Sequence, residues 1–246
     1  MTAPQTDQPV RGVIWDFDGT LVETISKNMA VNRRIIETVT GRSWREWEIL
    51  QSVEVYRRAL GRVRNWRDLY MVEFGLSPDD TDRAGALWAP LQAEDDTPTT
   101  VYEGIPETLL RLHWMPHGIV SQNARTTIEA RLREADLAHR FTSIIGYEEV
   151  GRDRQKPDPE GLLACIAALP DVDGGAVLFV GDHPTDIECA MAANRVLARD
   201  GRTTGVIAVA ACFGTTCDTD GWAVQPAHVV RHPTDLIDIV QPASDA

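Results

Sequence analysis

Two aspartates, Asp16 and Asp18, stand directly after the apolar run Gly12-Val13-Ile14-Trp15 and before a glycine. A β-branched run that ends in carboxylates and Gly19 predicts a buried strand whose carboxyl end opens into a loop. Two carboxylates at such an end can divide the work of a reaction, one as nucleophile or metal ligand and the other as acid and base. A strand followed by a plain Asp-Gly turn fits the same residues, so this motif alone leaves both interpretations open.

Polar residues also follow the other predicted strands. They are Ser121 after Gly118–Val120, Lys156 in the loop after Ser143–Ile145, and Asp182 with Asp186 after Ala176–Val180. Because the carboxyl ends of parallel strands meet at one edge of a sheet, we expect these side chains and Asp16 to share a pocket. The carboxylates are hard oxygen ligands that suit Mg²⁺ better than zinc. An anion could bind between Lys156 and Ser121, at the N-terminus of the helix that follows the serine. A phosphate group held there would present its phosphorus to a carboxylate.

The composition limits the possible partners. The 246 residues are 43% apolar and 25% charged, as in ordinary folded proteins, and the formal net charge is -13. This charge argues against nucleic acid and against an anionic membrane surface, because both are polyanions. The sequence has no apolar run long enough for a membrane span, and Met1–Pro9 lacks the pattern of a signal peptide. We therefore expect a cytoplasmic protein that neutralises any anionic substrate locally.

Cysteine and histidine spacing gives little sign of zinc or redox chemistry. The four cysteines (Cys165, Cys189, Cys212 and Cys217) include no C-x-x-C pair, and we predict that they are reduced and structural. His113 with His117, and His228 with His232, have the spacing of helical zinc ligands. Prolines at 116 and 233 argue against a regular helix at either pair, so zinc is not predicted.

The rhythm of apolar residues divides the chain into three parts. Residues 1–9 are predicted to be a mobile tail, residues 10–22 plus 99–241 an α/β core, and residues 23–98 an all-helical insertion. In the insertion, one helix should end near Gly41, and a second should carry Trp44, Trp47, Leu50 and Val53. In the core, strands alternate with helices, which predicts a Rossmann-like, doubly wound and mostly parallel sheet. Asn123 is predicted to cap a helix that runs to about Leu137.

The ordered motifs resemble those of the haloacid dehalogenase-like superfamily, in particular its phosphoglycolate phosphatase-like members with a helical cap. D-x-D-G-T corresponds to Asp16–Thr20, and G-D-x-x-x-D corresponds to Gly181–Asp186. Ser121 and Lys156 match the serine and the lysine that stand between those motifs in the family. The resemblance implies that the core is a hydrolase domain and that residues 23–98 are the cap, which closes over the pocket and selects the substrate.

The resemblance also implies a chemical role for each matching residue. Asp16 would attack phosphorus and form an aspartyl-phosphate, while Asp18 would protonate the leaving alcohol and then deprotonate the hydrolytic water. Mg²⁺ would be held by Asp16, by the backbone carbonyl of Asp18 and by Asp182, with Asp186 binding directly or through water. The expected substrate is a small phosphorylated metabolite.

Further residues are expected to contact the substrate's phosphate. They are Gly19, Thr20, Ser121, Gln122, Asn123 and Lys156. Gln122 departs from the asparagine that often follows the serine in the family, a change that is tolerated if its backbone N–H makes the contact. The oligomeric state is not predicted.

Three activities are compatible with these residues. The acid/base Asp18 favours phosphate-monoester hydrolysis over dehalogenation or phosphonate cleavage, whose leaving groups do not need that proton. A phosphomutase of the same superfamily keeps both aspartates and is the first alternative. A non-catalytic binding or regulatory module is the second, although every expected catalytic group is present in the sequence.

Overall fold

The computed structural model describes residues 8–63, 65–213 and 219–240, without the side chain of Arg152. Residues 1–7 of the predicted tail and Cys217 lie outside these ranges. The chain divides into two compact units. Unit 1 contains Met1–Val22 and Val101–Ala246, and unit 2 contains Glu23–Thr100.

Unit 1 is built on a six-stranded parallel sheet. Its strands are β1 (Val10–Trp15), β4 (His117–Val120), β5 (Ser143–Ile145), β6 (Ala176–Gly181), β7 (Gly205–Ala211) and β8 (His228–Val230). The strand order is β5-β4-β1-β6-β7-β8, and every neighbouring pair is parallel. Among the described residues, β2 (Val22–Glu23) and β3 (Thr100–Val101) form a separate two-stranded sheet where the chain passes between the two units. The main sheet has the Rossmann order, which confirms the predicted fold class.

Helices cover both faces of this sheet. They are α5 (Ile105–Arg111), α6 (Arg125–Glu134), α7 (Glu160–Ala168), α8 (Pro184–Arg199) and α9 (Asp235–Val240), with 3₁₀ turns at Ala138–Arg140, Tyr147–Glu149 and Arg152–Arg154. Side chains alternate along β1, so Val13 and Trp15 join the hydrophobic cluster under α5, α6 and α9, while Ile14 joins the cluster under α7 and α8. Both faces of the central strands are therefore buried, as in other parallel sheets.

Unit 2 is helical and has its own hydrophobic core. It contains α1 (Ile25–Thr40), α2 (Val53–Leu60), α3 (Trp66–Asp68), which continues into a π-helical turn at Leu69–Glu73, and α4 (Pro78–Glu94), with 3₁₀ turns at Trp44–Glu46 and Glu48–Leu50. As predicted, α1 ends near Gly41, which follows its last residue and has a left-handed backbone conformation. Val31, Ile35 and Leu50 are fully buried in this core.

The predicted second helix over Trp44–Val53 is wrong. The backbone at Trp47 is extended and separates the two 3₁₀ turns. Its indole N–H donates to the carbonyl of Phe74 at 3.1 Å, and the guanidinium of Arg33 stacks 4.0 Å from the ring centroid of Trp44. These tertiary contacts override the helical spacing of the apolar residues.

Two further predictions are corrected in unit 1. The helix after β4 begins at Arg125 with Ala124 as its N-cap, and it ends at Glu134 rather than near Leu137. Cys212 is disulfide-bonded, whereas Cys165 and Cys189 are free and buried. The missing C-x-x-C pair did not reveal the disulfide, because cross-linking depends on the distance between cysteines in the fold and not on their spacing in sequence.

Among the helices of the described ranges, none combines the length and the apolar character needed to cross a membrane.

Candidate active site

The predicted site residues gather in unit 1 where the strand order reverses. The chain runs from β1 outward to β4 and β5, then returns to β6 on the other side of β1. Asp16 follows β1 directly, and Asp182 follows Gly181, the last residue of β6. The carboxyl ends of two such strands form the crevice in which doubly wound sheets bind their ligands.

A buried ion-pair network lies at this point. The Lys156 ammonium is 2.6 Å from Asp16 Oδ1 and 2.7 Å from Asp186 Oδ1. Lys156, Asp16 and Asp186 are all buried, so water screens their charges poorly. A carboxylate oxygen of Asp182 also belongs to the cluster, because ligand atoms of Asp16, Asp182 and Asp186 lie within 4.8 Å of one another.

Burial and the neighbouring charges shift the pKa values of this cluster. Burial raises the pKa of Asp16 to about 7, although Lys156 acts against this shift. Desolvation and the charges of Asp16 and Asp186 raise the pKa of Asp182. Burial alone would lower the pKa of Lys156, but the two neighbouring carboxylates raise it, so this lysine stays charged.

This donor set fits a divalent cation. Three hard oxygen donors converge, and the single charge of Lys156 balances only one of the three carboxylates. A cation of charge two would complete the compensation, and carboxylate oxygens are the ligands that Mg²⁺ and similar ions prefer. The cluster of Asp16, Asp182 and Asp186 could therefore hold a divalent metal ion.

Two glycines allow the carboxylates to approach the backbone. Gly19 has a φ of +81°, and a Cβ at this position would collide with the carboxylate of Asp182. A Cβ at Gly181 would collide with the carboxylate of Asp186. The D-x-D-G and G-D-x-x-x-D motifs therefore need their glycines so that the carboxylates of Asp182 and Asp186 can pack against the backbone.

Asp186 also organises the start of α8. Its Oδ2 accepts the backbone N–H of His183 at 3.0 Å, while its Oδ1 binds Lys156. His183 Nδ1 accepts the N–H of Thr185 at 3.3 Å, which completes a reciprocal cap at the helix N-terminus. Both oxygens of Asp186 are thus held by the protein, which fixes the orientation of its carboxylate.

The loop after β4 brings three predicted residues to the same edge of the sheet. Ser121 Oγ accepts the N–H of Asn123 at 3.1 Å, and the side-chain amide of Gln122 donates to the carbonyl of Lys156 at 3.0 Å. The amide of Asn123 donates to Asp18 Oδ2 at 3.0 Å. Gln122 therefore ties the loop that carries Ser121 to the loop that carries Lys156.

The backbone N–H groups of Gly19 and Thr20, two predicted substrate contacts, already have acceptors within the protein. The N–H of Gly19 donates to the carbonyl of Val22, and the N–H of Thr20 lies 3.4 Å from the carbonyl of Phe17. The Thr20 side chain is fully buried, and its hydroxyl finds no hydrogen-bond partner among the residues that the structure describes. Gly19 and Thr20 thus shape the turn between Asp18 and β2.

The contact between Asn123 and Asp18 was missed by the sequence analysis. Asn123 was expected to cap a helix and to contact the phosphate, yet its side chain binds Asp18, 105 residues earlier in the chain. No spacing rule links the two residues. Only the neighbouring positions of β1 and β4 in the sheet bring them together.

The acidic cluster and the buried Lys156 lie at the switch point of a Rossmann-like sheet. Residues 13–198 match the family model described as "Haloacid dehalogenase-like hydrolase". The chain therefore belongs to the haloacid dehalogenase-like hydrolases. This match confirms the resemblance drawn from the four motifs.

Similar proteins support the same assignment. The N-acetylmuramic acid 6-phosphate phosphatase of Pseudomonas aeruginosa is 27% identical over 244 residues, which cover 95% of this chain and 96% of that protein. Phosphoglycolate phosphatase 1 of the same organism is 28% identical over 192 residues, which cover 74% of this chain and 66% of that protein. A haloacid dehalogenase-like hydrolase of Streptococcus pneumoniae has the same fold, with a TM-score of 0.70 at 15% identity, over 94% of this chain and 99% of that one.

Proposed function

We propose that this chain is a Mg²⁺-dependent phosphatase that hydrolyses a small phosphate monoester through an aspartyl-phosphate on Asp16. The observation that carries the proposal is the setting of Asp16. Its carboxylate lies at the switch point, 2.6 Å from the Lys156 ammonium, and Asp18 stands two residues further along the same loop. The proposed nucleophile (Asp16), the proposed acid/base (Asp18) and the charged Lys156 therefore all lie at the carboxyl edge of the sheet.

In the first half of the reaction, Asp16 attacks phosphorus. A bond forms between a carboxylate oxygen and phosphorus, and the bond from phosphorus to the ester oxygen breaks. Asp18 gives its proton to the departing oxygen, so the product leaves as a neutral alcohol. Lys156 and Ser121 hold the phosphate oxygens, and the backbone N–H of Gln122, which has no acceptor within the described ranges, is a further donor to them.

In the second half, water attacks the phosphorus of the aspartyl-phosphate. Asp18, now a carboxylate, takes a proton from this water as the new bond forms. The bond between Asp16 and phosphorus breaks, which releases inorganic phosphate and restores the Asp16 carboxylate. The residues therefore return to their starting protonation states after one turnover.

The acidic cluster would hold the metal ion. Asp16, the backbone carbonyl of Asp18 and Asp182 would be its ligands, with Asp186 binding directly or through water. Bound there, Mg²⁺ would neutralise the negative charge that develops on the phosphate oxygens. The proposed substrate class, phosphorylated metabolites, favours a cytoplasmic location.

The test measures phosphate release from a panel of monoesters, with Mg²⁺ or with a chelator. The panel includes phosphoglycolate and N-acetylmuramic acid 6-phosphate, which the names of the relatives suggest, together with other sugar phosphates and nucleoside monophosphates. Asp16→Asn removes the nucleophile. Asp238→Asn makes the same chemical change at an exposed position on α9 and serves as the control.

We expect Mg²⁺-dependent release that Asp16→Asn abolishes and Asp238→Asn leaves unchanged. An acid-quenched reaction with ³²P-labelled substrate should also show labelled wild-type protein and unlabelled Asp16→Asn. Full activity of Asp16→Asn would overturn the assignment of the nucleophile. Isomerised sugar phosphate in place of inorganic phosphate would identify a mutase.

A further inference from the structure

The side-chain amide of Asn123 lies between the acid/base aspartate and the start of α6. Its Nδ2 donates to Asp18 Oδ2 at 3.0 Å, and its Oδ1 accepts the backbone N–H of Ala124 at 2.8 Å. Asn123 is only 7% exposed. Both polar atoms of this side chain are therefore engaged inside the protein.

The orientation of this amide follows from its neighbours. The N–H of Ala124 can only donate, so the oxygen of the Asn123 amide must face it and the nitrogen must face Asp18. A flipped amide would set two donors against each other at Ala124 and two oxygens against each other at Asp18. The donor aimed at Asp18 is thus imposed by the backbone.

The main chain of Asn123 is held as firmly as its side chain. Its N–H donates to Ser121 Oγ at 3.1 Å, and its carbonyl accepts the N–H of Tyr147 at 2.9 Å. These bonds tie the residue to the loops after β4 and β5. The amide therefore reaches Asp18 from a rigid support, as precise positioning requires.

We propose that Asn123 is a positioning residue that fixes the Asp18 carboxyl and directs its exchangeable proton to Oδ1. This inference rests on the proposed phosphatase function. Because an N–H already points at Oδ2, a proton on that oxygen would meet a donor. In the first half-reaction the Oδ1–H bond breaks and the proton moves to the leaving oxygen, and in the second half Oδ1 takes a proton from water.

This role differs from the substrate contact that the sequence suggested. A substrate contact would weaken binding of every phosphate ester when it is lost. A positioning contact affects most strongly the step in which Asp18 gives up its proton. Leaving groups that need this proton should therefore suffer more than leaving groups that depart as stable anions.

The experiment compares two substrates in wild type, Asn123→Asp and Asn123→Ala. One is the alkyl phosphate that wild type hydrolyses fastest, and the other is p-nitrophenyl phosphate, whose p-nitrophenolate leaves without protonation. Asn123→Asp keeps an oxygen for the Ala124 N–H but replaces the donor to Asp18 by an acceptor. Steady-state kcat and KM and the first-turnover burst are measured, and thermal unfolding verifies folding.

We expect kcat for the alkyl phosphate to fall roughly 10- to 100-fold in both variants, a part of the 10²- to 10⁴-fold that general acid–base catalysis contributes. KM should stay near its wild-type value. The p-nitrophenolate burst should keep its wild-type rate within about 3-fold, because that step needs no proton from Asp18.

A p-nitrophenolate burst slowed as much as kcat for the alkyl phosphate, or losses confined to KM, would overturn the inference and return Asn123 to a substrate-binding or structural role. Wild-type kcat in both variants would overturn it as well. If wild type hydrolyses neither ester, the proposed function itself fails and the inference falls with it. Should Asn123→Asp not fold, Asn123→Ala, which removes the donor without adding charge, gives the same comparison.

Discussion

We expect the buried His117 to make the stability of unit 1 depend on pH. It is 2% exposed at the start of β4, at the opposite edge of the sheet from the candidate active site. The indole N–H of Trp15 donates to its Nδ1 at 3.2 Å, and its Nε2 lies 3.2 Å from the carbonyl oxygen of Leu112. An acceptor at Nδ1 and a donor at Nε2 describe the neutral ring. Burial, with the charge of Arg140 adding to it, lowers the pKa of His117 to about 4.

The size of the effect follows from the two pKa values. In the unfolded chain the pKa of His117 is the ordinary 6.5. Between these values the unfolded chain binds a proton that the folded chain does not, so the free energy of unfolding falls as the pH falls. One pKa unit corresponds to about 1.36 kcal/mol, and the shift therefore removes about 3 kcal/mol between about pH 7 and pH 4. The full contribution is present above about pH 7.

Urea unfolding followed by tryptophan fluorescence, at several pH values across this window, measures the effect. His117→Asn offers an oxygen to the Trp15 N–H and does not titrate, so the difference between wild type and variant isolates the histidine. Carboxylates that titrate in both proteins cancel in this difference. We expect wild type to lose about 3 kcal/mol relative to His117→Asn on acidification. His113→Asn, the same change at an exposed neighbour, should leave the slope unchanged.

A constant difference between wild type and His117→Asn across the whole pH range would refute this reasoning. It would mean that the folded chain protonates His117 as readily as the unfolded chain does. The indole N–H would then have to turn away from Nδ1, and NMR titration of the ring protons would show a pKa near 6.5.

Three further predictions concern the acidic cluster. Lys156→Met leaves two buried carboxylates without their counter-charge, and urea titrations should show the free energy of unfolding lowered by about 3–5 kcal/mol. An unchanged value would contradict the buried pairing. Gly19→Ala forces a residue with a Cβ into a left-handed conformation, at a cost of about 1–2 kcal/mol, and drives that Cβ against Asp182. Calorimetric titration with Mg²⁺ should then show at least about 10-fold weaker binding. Asp182→Asn should lose most of the Mg²⁺-induced rise in the unfolding temperature, whereas Asp238→Asn should keep it.

The sheet and the position of the acidic cluster could be predicted from local patterns. The apolar run Gly12-Val13-Ile14-Trp15 predicts a strand that ends before Asp16, and β1 is Val10–Trp15. Such runs identify strands because both faces of a parallel sheet are buried, which leaves the polar residues at the strand ends. Because these ends share one edge, the sequence alone predicts that Lys156, Asp16, Asp182 and Asp186 lie together.

Features that depend on packing between distant residues could not be predicted. The bond from Asn123 to Asp18 requires the loops after β4 and β1 to lie at hydrogen-bonding distance. The extended backbone at Trp47 depends on a contact with Phe74. The apolar spacing around Trp47 is the same in a helix and in two 3₁₀ turns that share one core, so tertiary contacts decide the outcome.

Polar side chains at the amino and carboxyl edges of the sheet differ in how far the protein itself compensates them. At the amino edge, Trp15 and Leu112 satisfy both nitrogens of His117 in its neutral state, and the fold needs nothing more from solvent or ligand. At the carboxyl edge, Lys156 balances one carboxylate of three, and burial holds the pKa of Asp16 high. Asp16 and Asp186 are both buried, so the single charge of Lys156 leaves one buried negative charge without a counter-charge, which is costly. The divalent cation that we propose would compensate this charge, and its removal should then destabilise unit 1 through the same carboxylates that carry out the proposed reaction.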